Sequence, residues 1–473
     1  MDRRNFLQVL VAGGLISLTP RVARSAMKKV SSAETPPNIL WIMTDQQFAG
    51  AMSCAGDADL KTPAMDWIAA RGVRFEQAYC TNPICVPSRS SMITGKYPHE
   101  VDVSTNFTTR NIIAPSLGTL MHEAGYRTGY VGKWHIPVSS DNQAWHGFDY
   151  TDLTKTKGPD PQIFQGCEGF FAGQSSEKPW FLVASYLNPH DICEWARMES
   201  GIDDTLPNGP IPEAPDMEDC PTLPDNFGIP EREPSVIREL QNNPAAHRTY
   251  PTQDWDEKSW RQYRWAYNRL IEKADADIGK LLHYMEQKGL LENTVIIFTS
   301  DHGDGMGAHQ WNQKTLFYEE SARVPFIIAG KGVAAPGRTD EATLVSTGID
   351  LAPTILDYAG APLPAAYFGL SQRAAAEDRT APGHAYIVSE NDLAPKYNQT
   401  GGVYGRMLRT PQYKYVIYSE GEDPEQLFDL SKDPGEMHNL AYEEAYVSVL
   451  EEHRALLREH LKKTNDPFVA EAL

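Results

Sequence analysis

The 473-residue sequence has few cysteines, a deficit of basic residues and no internal repeats or low-complexity tracts. Six cysteines are too few for a disulfide scaffold in a chain of this length, so no disulfide is assumed. The 43 basic against 63 acidic side chains give a formal net charge of −20, which argues against a nucleic-acid partner and against binding to anionic lipid. A site for an anion must therefore be a local positive spot, built from a metal ion and a few Lys or Arg side chains.

The N-terminal segment has no apolar run long enough for a permanent membrane anchor. Its apolar stretch, residues 9–18, is about half of the roughly 20 residues needed to cross a bilayer. Arg3-Arg4 stands before this stretch and small residues suited to cleavage follow it, which is typical of a twin-arginine signal peptide. We predict a signal peptide over residues 1–26, a linker over 27–36, and export through the Tat translocase to the periplasm or the medium. An ordinary secretory signal is the alternative.

Four short apolar runs each end in polar, ionisable residues. Their length and bounding residues favour buried strands. Helical patterns lie between them, the longest from about Asp256 to Lys288. Strands that alternate with helices predict an α/β sheet with helices on both faces, and ligands of such sheets bind beyond the carboxyl ends of the strands. The four runs, whose polar ends we expect to converge on one cleft, are Asn38–Thr44, Arg127–Gly132, Trp180–Leu187 and Val295–Thr299.

Two later segments depart from this alternation. The proline-rich stretch Met198–Trp255 predicts a long surface excursion over or beside the cleft. Towards the C-terminus, Tyr413–Tyr418 alternates like a half-exposed strand and Glu443–Lys463 has the pattern of an amphipathic helix. We therefore predict a catalytic domain over residues 37–384 and a smaller α+β subdomain with antiparallel strands over residues 385–473.

The segment Cys85-Val86-Pro87-Ser88-Arg89 resembles the motif of the type I sulfatases, a family of the alkaline phosphatase superfamily. The resemblance continues in family order from Pro37 to Leu440. It implies an α/β fold with an alkaline-phosphatase-like central mixed sheet flanked by helices, and a smaller C-terminal α+β subdomain. Other matching segments are Asn38–Gln46, Gly132–His135, His146–Asp149, Asn188–His190, Ser300–Gly303 and Leu427–Leu430.

The resemblance implies a nucleophile at residue 85. In this family a maturation enzyme oxidises the motif cysteine to formylglycine (3-oxoalanine), and the hydrated aldehyde at position 85 would attack sulfur, with Arg89 orienting it. Cleaving a sulfate monoester also requires a metal ion and fixed cations around the sulfate oxygens, and an acid for the departing alcohol. By the resemblance, Lys133 and Lys314 would hold the sulfate oxygens.

The resemblance also implies a metal site. Its ligands would be Asp45, Gln46, Asp301 and His302, with an oxygen of residue 85. Carboxylate and amide oxygens favour a hard ion such as Ca²⁺ or Mg²⁺. The imidazole of His302 is more typical of transition metals. We expect Ca²⁺, with Mg²⁺ or Mn²⁺ as alternatives.

Four further histidines are candidates for proton transfer or substrate contact. By the resemblance, His190 would protonate the leaving alcohol and His135 would remove a proton from the second hydroxyl of hydrated residue 85. Histidine suits both tasks because its ordinary pKa lies near the working pH. His99 and His309 could line the substrate pocket, although a turn-capping or packed histidine is an equal alternative at both positions.

The function that this resemblance implies is hydrolysis of a sulfuric ester. A sulfated carbohydrate is the first expectation for the substrate, and choline sulfate or an aryl sulfate the second. A phosphonate monoester or phosphodiester hydrolase of the same superfamily is an alternative, because it uses the same converted cysteine. An inactive sulfoglycan-binding protein is disfavoured because every catalytic position is filled.

Overall fold

The computed structural model describes residues 36–108, 112–154, 159–173, 178–379, 383–393 and 402–473. The predicted signal peptide, residues 1–26, lies outside the described residues, and so does the predicted linker up to residue 35. Within the described ranges, no helix is long and apolar enough to cross a membrane. All six cysteines fall within these ranges, and none of them forms a disulfide.

The centre of the described chain is a mixed sheet of eight strands. The strands are β1 (Asn38–Asp45), β2 (Gly72–Tyr79), β3 (Arg127–Lys133), β4 (Tyr150–Thr154), β5 (Trp180–Pro189), β6 (Thr294–Ser300), β7 (Phe326–Gly330) and β8 (Arg338–Ser346). Their order across the sheet is β4-β3-β5-β1-β6-β7-β2-β8. β7 runs antiparallel to both of its neighbours, and the other pairs are parallel. The carboxyl ends of β1, β3, β5 and β6 therefore meet at one edge.

Helices cover both faces of this sheet. Because side chains alternate along a strand, Leu40 and Ile42 of β1 enter the core on one face, and Ile39, Trp41 and Met43 enter the core on the other. Strands buried on both faces read as continuous apolar runs, as these do. The helices are α1 (Pro63–Ala69), α2 (Cys85–Thr94), α3 (Leu117–Glu123), α4 (Gln143–His146), α5 (Pro161–Ala172), α6 (Ile192–Glu199), α7 (Ser235–Gln241), α8 (Glu257–Gln287), α9 (Glu319–Ala322), α10 (Thr347–Ala359), α11 (Arg373–Ala376) and α12 (Val447–Thr464).

A second, antiparallel sheet follows in the C-terminal part. Its strands are β9 (Ile387–Asp392), β10 (Tyr404–Arg409), β11 (Tyr413–Tyr418) and β12 (Glu425–Asp429), in the order β12-β11-β10-β9. One face packs against α12 through residues such as Tyr415 and Leu457. The other face packs against the segment Leu316–Tyr318 through residues such as Met407 and Val416. The small sheet is thereby attached to the loop that leaves β6.

The predicted fold class, a mixed sheet flanked by helices with a small antiparallel C-terminal sheet, is confirmed. One detail is wrong: β11 was expected to be half-exposed, and it is buried along almost its whole length because α12 and the segment before α9 cover its two faces. The terminal helix also begins later than predicted, at Val447. The predicted domain boundary at residue 385 falls between α11 and β9 and stays a prediction.

Candidate active site

The carboxyl ends of two neighbouring strands bring two carboxylates together. Asp45 is the last residue of β1 and Asp301 directly follows β6, and the two strands pair in parallel with Thr44 opposite Ser300. Both carboxylates are fully buried. The backbone N–H of Gln46, a residue with a φ of 71°, donates to Asp301 Oδ1 over 3.1 Å. Two buried carboxylates in one place require cations beside them.

Arg89 supplies the first of these cations. Its Nε donates to Asp301 Oδ2 over 2.7 Å, and its Nη2 donates to Asp45 Oδ2 over 2.8 Å. Its Nη1 donates to the Lys133 carbonyl over 3.0 Å and to Ser185 Oγ over 2.9 Å. Only 1% of Arg89 is exposed. A buried guanidinium with this many charge-assisted hydrogen bonds fixes both carboxylates in place.

Cys85 is the first residue of α2, and it is fully buried beside these groups. Its Sγ lies 3.1 Å from His302 Nε2 and 3.1 Å from Lys314 Nζ. Burial and the Asp45 carboxylate oppose ionisation of the thiol. The cations Lys314 and Lys133, with His302, outweigh both effects and hold the pKa of Cys85 well below its ordinary value. A helix N-terminus also favours negative charge, so position 85 suits an anionic or strongly polar group.

Two buried lysines complete the positive region. Lys133 ends β3, and its Nζ donates a short hydrogen bond to Asp45 Oδ2. Lys314 lies in the loop after β6, and its Nζ donates to Gln46 Oε1 over 2.8 Å. Lys133 and Arg89 hold the pKa of Asp45 well below its ordinary value, although burial opposes them. The described residues around Cys85 thus form the local positive spot that an acidic chain needs in order to bind an anion.

Two histidines follow neighbouring strands. His190 directly follows β5, and its Nδ1 lies 3.5 Å from Glu194 Oε2. Burial, with the charges of Lys133 and Lys314, lowers the pKa of His190 to about 4. His135 comes two residues after β3 with a φ of 45°, and burial lowers its pKa as well. Burial therefore favours the neutral form of both rings.

The two weaker pocket candidates lie elsewhere. His99 Nδ1 pairs with Glu390 Oε1 at 2.6 Å, and its Nε2 lies 3.1 Å from the Thr464 carbonyl. It lines a cavity beside the C-terminal sheet. His309 is fully buried and stacks on Tyr318 with ring centroids 3.8 Å apart. The structure groups neither histidine with Cys85.

Asp304 is a buried site residue that the sequence motifs do not predict. Its Oδ2 accepts from Gln46 Nε2 over 2.8 Å, and both of its carboxylate oxygens accept from Tyr263 Oη. The Gln46 amide is thereby oriented with its oxygen towards Lys314. Cys193 also contacts this amide, at 3.2 Å from Nε2. The sequence feature that could have indicated it is its position as the second aspartate of the segment Asp301–Asp304.

A group of potential metal ligands lies at the centre of the site. Asp45, Cys85, Asp301 and His302 each offer one ligand atom, and these atoms lie within 4.8 Å of one another. All four residues are fully buried. Two carboxylates and an imidazole at this spacing fit a divalent ion. Gln46, the fifth predicted ligand, uses its amide oxygen to accept from Lys314.

The fold and this edge of the sheet define the class of protein as an α/β protein with a buried anion-binding site beside a reactive side chain. The protein is acidic as a whole, yet the buried cations Arg89, Lys133 and Lys314 lie around Cys85. This position is at the carboxyl ends of the strands, where α/β sheets bind ligands.

The chain belongs to the sulfatase family, whose members hydrolyse sulfate esters. The sequence profile of the Sulfatase family matches residues 37–361. A second profile, that of the C-terminal part of N-sulphoglucosamine sulphohydrolase, matches residues 307–464. The family predicted from the motif at Cys85 is confirmed.

Several relatives are similar over nearly their whole length. A Δ4,5-hexuronate-2-O-sulfatase from Bacteroides thetaiotaomicron is 31% identical, covering 93% of this chain and 91% of the relative. An N-acetylglucosamine-6-O-sulfatase from the same organism is 29% identical, covering 91% of this chain and 88% of the relative. The solved structure of a 2-O GAG sulfatase superposes with a TM-score of 0.77 at 30% identity, covering 91% of this chain and 93% of that one.

Proposed function

We propose that this sulfatase removes sulfate from a sulfated carbohydrate, using a formylglycine made from Cys85 and a divalent metal ion. The observation that carries the proposal is the buried positive region around residue 85, where Arg89 and Lys133 lie against two carboxylates and Lys314 contacts the Cys85 thiol. Relatives that act on hexuronate and N-acetylglucosamine sulfates support a carbohydrate substrate.

Conversion of Cys85 to formylglycine is the first part of the proposal. A thiol that attacked sulfur would be left bound to the sulfate with no easy route to release, whereas a hydrated aldehyde has a second hydroxyl from which release can be driven. The hydrated group would supply the nucleophilic oxygen. The buried position at the start of α2, next to Lys314, supports a negatively charged oxygen there. A formylglycine-generating maturation enzyme is therefore a required partner.

The metal ion is the second part. Asp45, Asp301 and His302, with the Gln46 amide and an oxygen of converted residue 85, would hold it, and Ca²⁺ is our first expectation, with Mg²⁺ or Mn²⁺ as alternatives. When bound, it would add positive charge beside the sulfate oxygens. Asp304 and Tyr263 would keep the Gln46 amide in position.

Proton transfer falls to the two histidines. His190, beside Glu194, would protonate the departing alcohol, and His135 would take a proton from residue 85 when sulfate is released. His190 must be protonated for its task, although burial, with the charges of Lys133 and Lys314, lowers its pKa. A bound sulfate ester would offset the charges of the two lysines, which favours the protonated form of His190.

Sulfate recognition falls to the lysines. Lys133 and Lys314 would hold the sulfate oxygens as point charges, and Arg89 would orient residue 85 through its hold on Asp45 and Asp301. The protein would act outside the cytoplasm, exported by the Tat translocase through the arginine pair of residues 1–26.

A substrate panel tests the proposal. Matured protein should hydrolyse 4-nitrophenyl sulfate and at least one class of sulfated mono- or oligosaccharide, and it should lose activity on exhaustive chelation. Parallel assays on phosphonate monoesters and phosphodiesters check the alternative activity. A kcat/KM that is higher on the phosphorus esters than on every sulfate ester would overturn the proposal.

A further inference from the structure

A buried carboxylate stands directly behind the His190 ring. The His190 carbonyl accepts from the Cys193 N–H over 2.9 Å, so the chain turns at His190 and continues into α6. This turn brings Glu194, in the first turn of α6, to the same side as the ring. Its Oε2 lies 3.5 Å from His190 Nδ1, and only 1% of Glu194 is exposed. The acid role proposed for His190 does not by itself explain why this carboxylate is there.

The Glu194 carboxylate is held in place by a series of ion pairs. Arg197 donates from Nη2 to Glu194 Oε1 over 2.6 Å and from Nε to Asp204 Oδ2 over 2.7 Å. Arg248 donates from Nη2 to the same Asp204 oxygen over 2.8 Å. One oxygen of Glu194 therefore faces the Arg197 guanidinium, and the other faces the imidazole of His190.

The far end of this series belongs to the proline-rich stretch 198–255. Asp204 and Arg248 both lie in it. Side-chain exposure rises from 1% at Glu194 through 12% at Arg197 to 60% at Arg248. Ion pairs are screened by solvent at the exposed end and strong at the buried end, so the pair between Arg197 and Glu194 matters most.

Charges from several elements face His190. Burial, Lys133 and Lys314 lower its pKa, whereas Asp45 and Glu194 raise it. The Asp45 carboxylate is already bound by two cations at the sulfate site. The Glu194 carboxylate, which is within 3.5 Å of the ring, is therefore well placed to stabilise an imidazolium at position 190.

A carboxylate behind a catalytic imidazole has two effects. It fixes the orientation of the ring and the nitrogen that carries the proton, and it stabilises the charged form. Because Nδ1 of His190 faces Glu194, Nε2 on the other side of the ring is the atom left for a leaving alcohol. A separation of 3.5 Å is long for a hydrogen bond, and catalytic hydrogen bonds are often this long before substrate binds.

We propose that Glu194 is the positioning residue of the acid: it holds His190 with Nε2 towards the leaving oxygen and stabilises the imidazolium that protonates this oxygen. As the S–O bond breaks, the proton moves from Nε2 to the alcohol, and the ring remains neutral with its Nδ1–H towards Glu194. Water then reprotonates Nε2 before the next turnover. The inference rests on the proposed function, because it assigns a residue to the acid step of His190.

The leaving-group dependence of Glu194→Gln tests this role. The glutamine keeps the shape of the side chain and removes its charge. On phenyl sulfate, whose leaving group needs a proton more, kcat/KM should fall about tenfold or more, and on 4-nitrophenyl sulfate it should fall less than about twofold. The ratio of the two rates in one preparation cancels any loss of folded protein. Equal losses on both esters would overturn the proposal.

Two further variants complete the kinetic test. Glu199→Gln, an equal charge change at an exposed position of the same helix, is the control and should leave the ratio unchanged. In the His190→Ala background, Glu194→Gln should cause no further change in the ratio, because Glu194 acts through the ring. Effects of the two substitutions that multiply would contradict this role.

The protonation of the His190 ring gives a readout without turnover. In Cys85→Ala protein with ¹⁵N-labelled histidine, the His190 signals are identified by their absence from the Cys85→Ala/His190→Ala protein. At a pH where the ring is neutral they should show the Nδ1–H tautomer, and Glu194→Leu should abolish this preference. An Nε2–H tautomer in the Cys85→Ala protein would overturn the inference. Failure of matured wild type to hydrolyse any sulfate ester would instead overturn the proposed function.

Discussion

Two buried lysines of this protein have opposite surroundings. Lys414 of β11 donates to the Phe317 carbonyl over 2.7 Å and pairs with Glu319 at 2.8 Å and Glu436 at 2.6 Å. Lys314 instead donates to the Gln46 amide and the Cys85 thiol, and no carboxylate lies within ion-pair distance of it in the described residues.

The difference shows that the charge of Lys414 is used within the protein, whereas the charge of Lys314 is available to an anionic ligand. Lys414 is neutralised by its own protein, and it ties the C-terminal sheet to the start of α9. The Lys314 ammonium lies next to residue 85, where an anionic ligand would form an ion pair with it. A buried cation without a carboxylate partner is costly, and a substrate anion gives a reason to retain it. The predictions below test this contrast, from the largest effect to the smallest.

Removing a carboxylate from the reactive edge should have the largest effect. Asp301→Ala deletes a predicted metal ligand and one partner of Arg89, so kcat should fall about a thousandfold or more on all sulfate esters. Steady-state kinetics with metal analysis checks this, with Asp357→Ala on α10 as the control. Activity that survives both Asp301→Ala and exhaustive chelation would show that the metal assignment is wrong.

Replacing Lys314 with methionine should affect mainly catalysis, and replacing Lys414 with methionine should affect mainly stability. Lys314→Met should reduce kcat/KM about 10²–10³-fold with little change in the free energy of unfolding. Lys414→Met leaves buried Glu436 without its cation and Glu319 with Arg323 alone, so the free energy of unfolding should fall by about 3–5 kcal/mol while the folded fraction keeps its kcat. Urea denaturation and active-site-normalised rates measure both. A loss of stability in Lys314→Met together with a loss of kcat in Lys414→Met would contradict the roles assigned to the two lysines.

The acid role of His190 predicts a dependence on the leaving group. His190→Ala should reduce kcat about a hundredfold or more on an alkyl sulfate, whose alcohol needs a proton. 4-Nitrophenyl sulfate, whose phenolate leaves unaided, should be affected much less. His309→Ala, at a buried histidine stacked on Tyr318, is the control for loss of an imidazole. Equal losses of His190→Ala on both esters would count against the acid role.

The smallest predicted effect is a pH dependence of stability from His99. Burial lowers its pKa, but Glu390 and Asp466 outweigh burial and raise it to about 9. A pKa above the unfolded value stabilises the protein fully below about pH 6.5 and loses that contribution as the pH rises through 9. Between these pH values the wild type should lose about 1–3 kcal/mol more than His99→Gln in urea titrations. Parallel curves for the two proteins would refute the assignment.

Sequence reasoning located the reactive edge because strand ends carry a local signal. Asp45 and Asp301 each follow an apolar run, and parallel strands must bring such ends together. The covering of β11 on both faces could not be predicted, because alternation in one strand does not say what packs on its outer face. Asp304 and the surroundings of Lys414 were missed for a related reason, since their partners come from distant segments.

The most direct test of the account is the chemical state of residue 85 in active protein. Peptide mass spectrometry across residues 75–89 of a protein purified with its maturation system should show loss of the thiol and gain of a carbonyl that reacts with hydrazides. Specific activity should rise in proportion to the converted fraction, and Cys85→Ala should be folded and inactive. A fully active preparation whose residue 85 is an unmodified, alkylatable thiol would contradict the mechanism and leave only the fold.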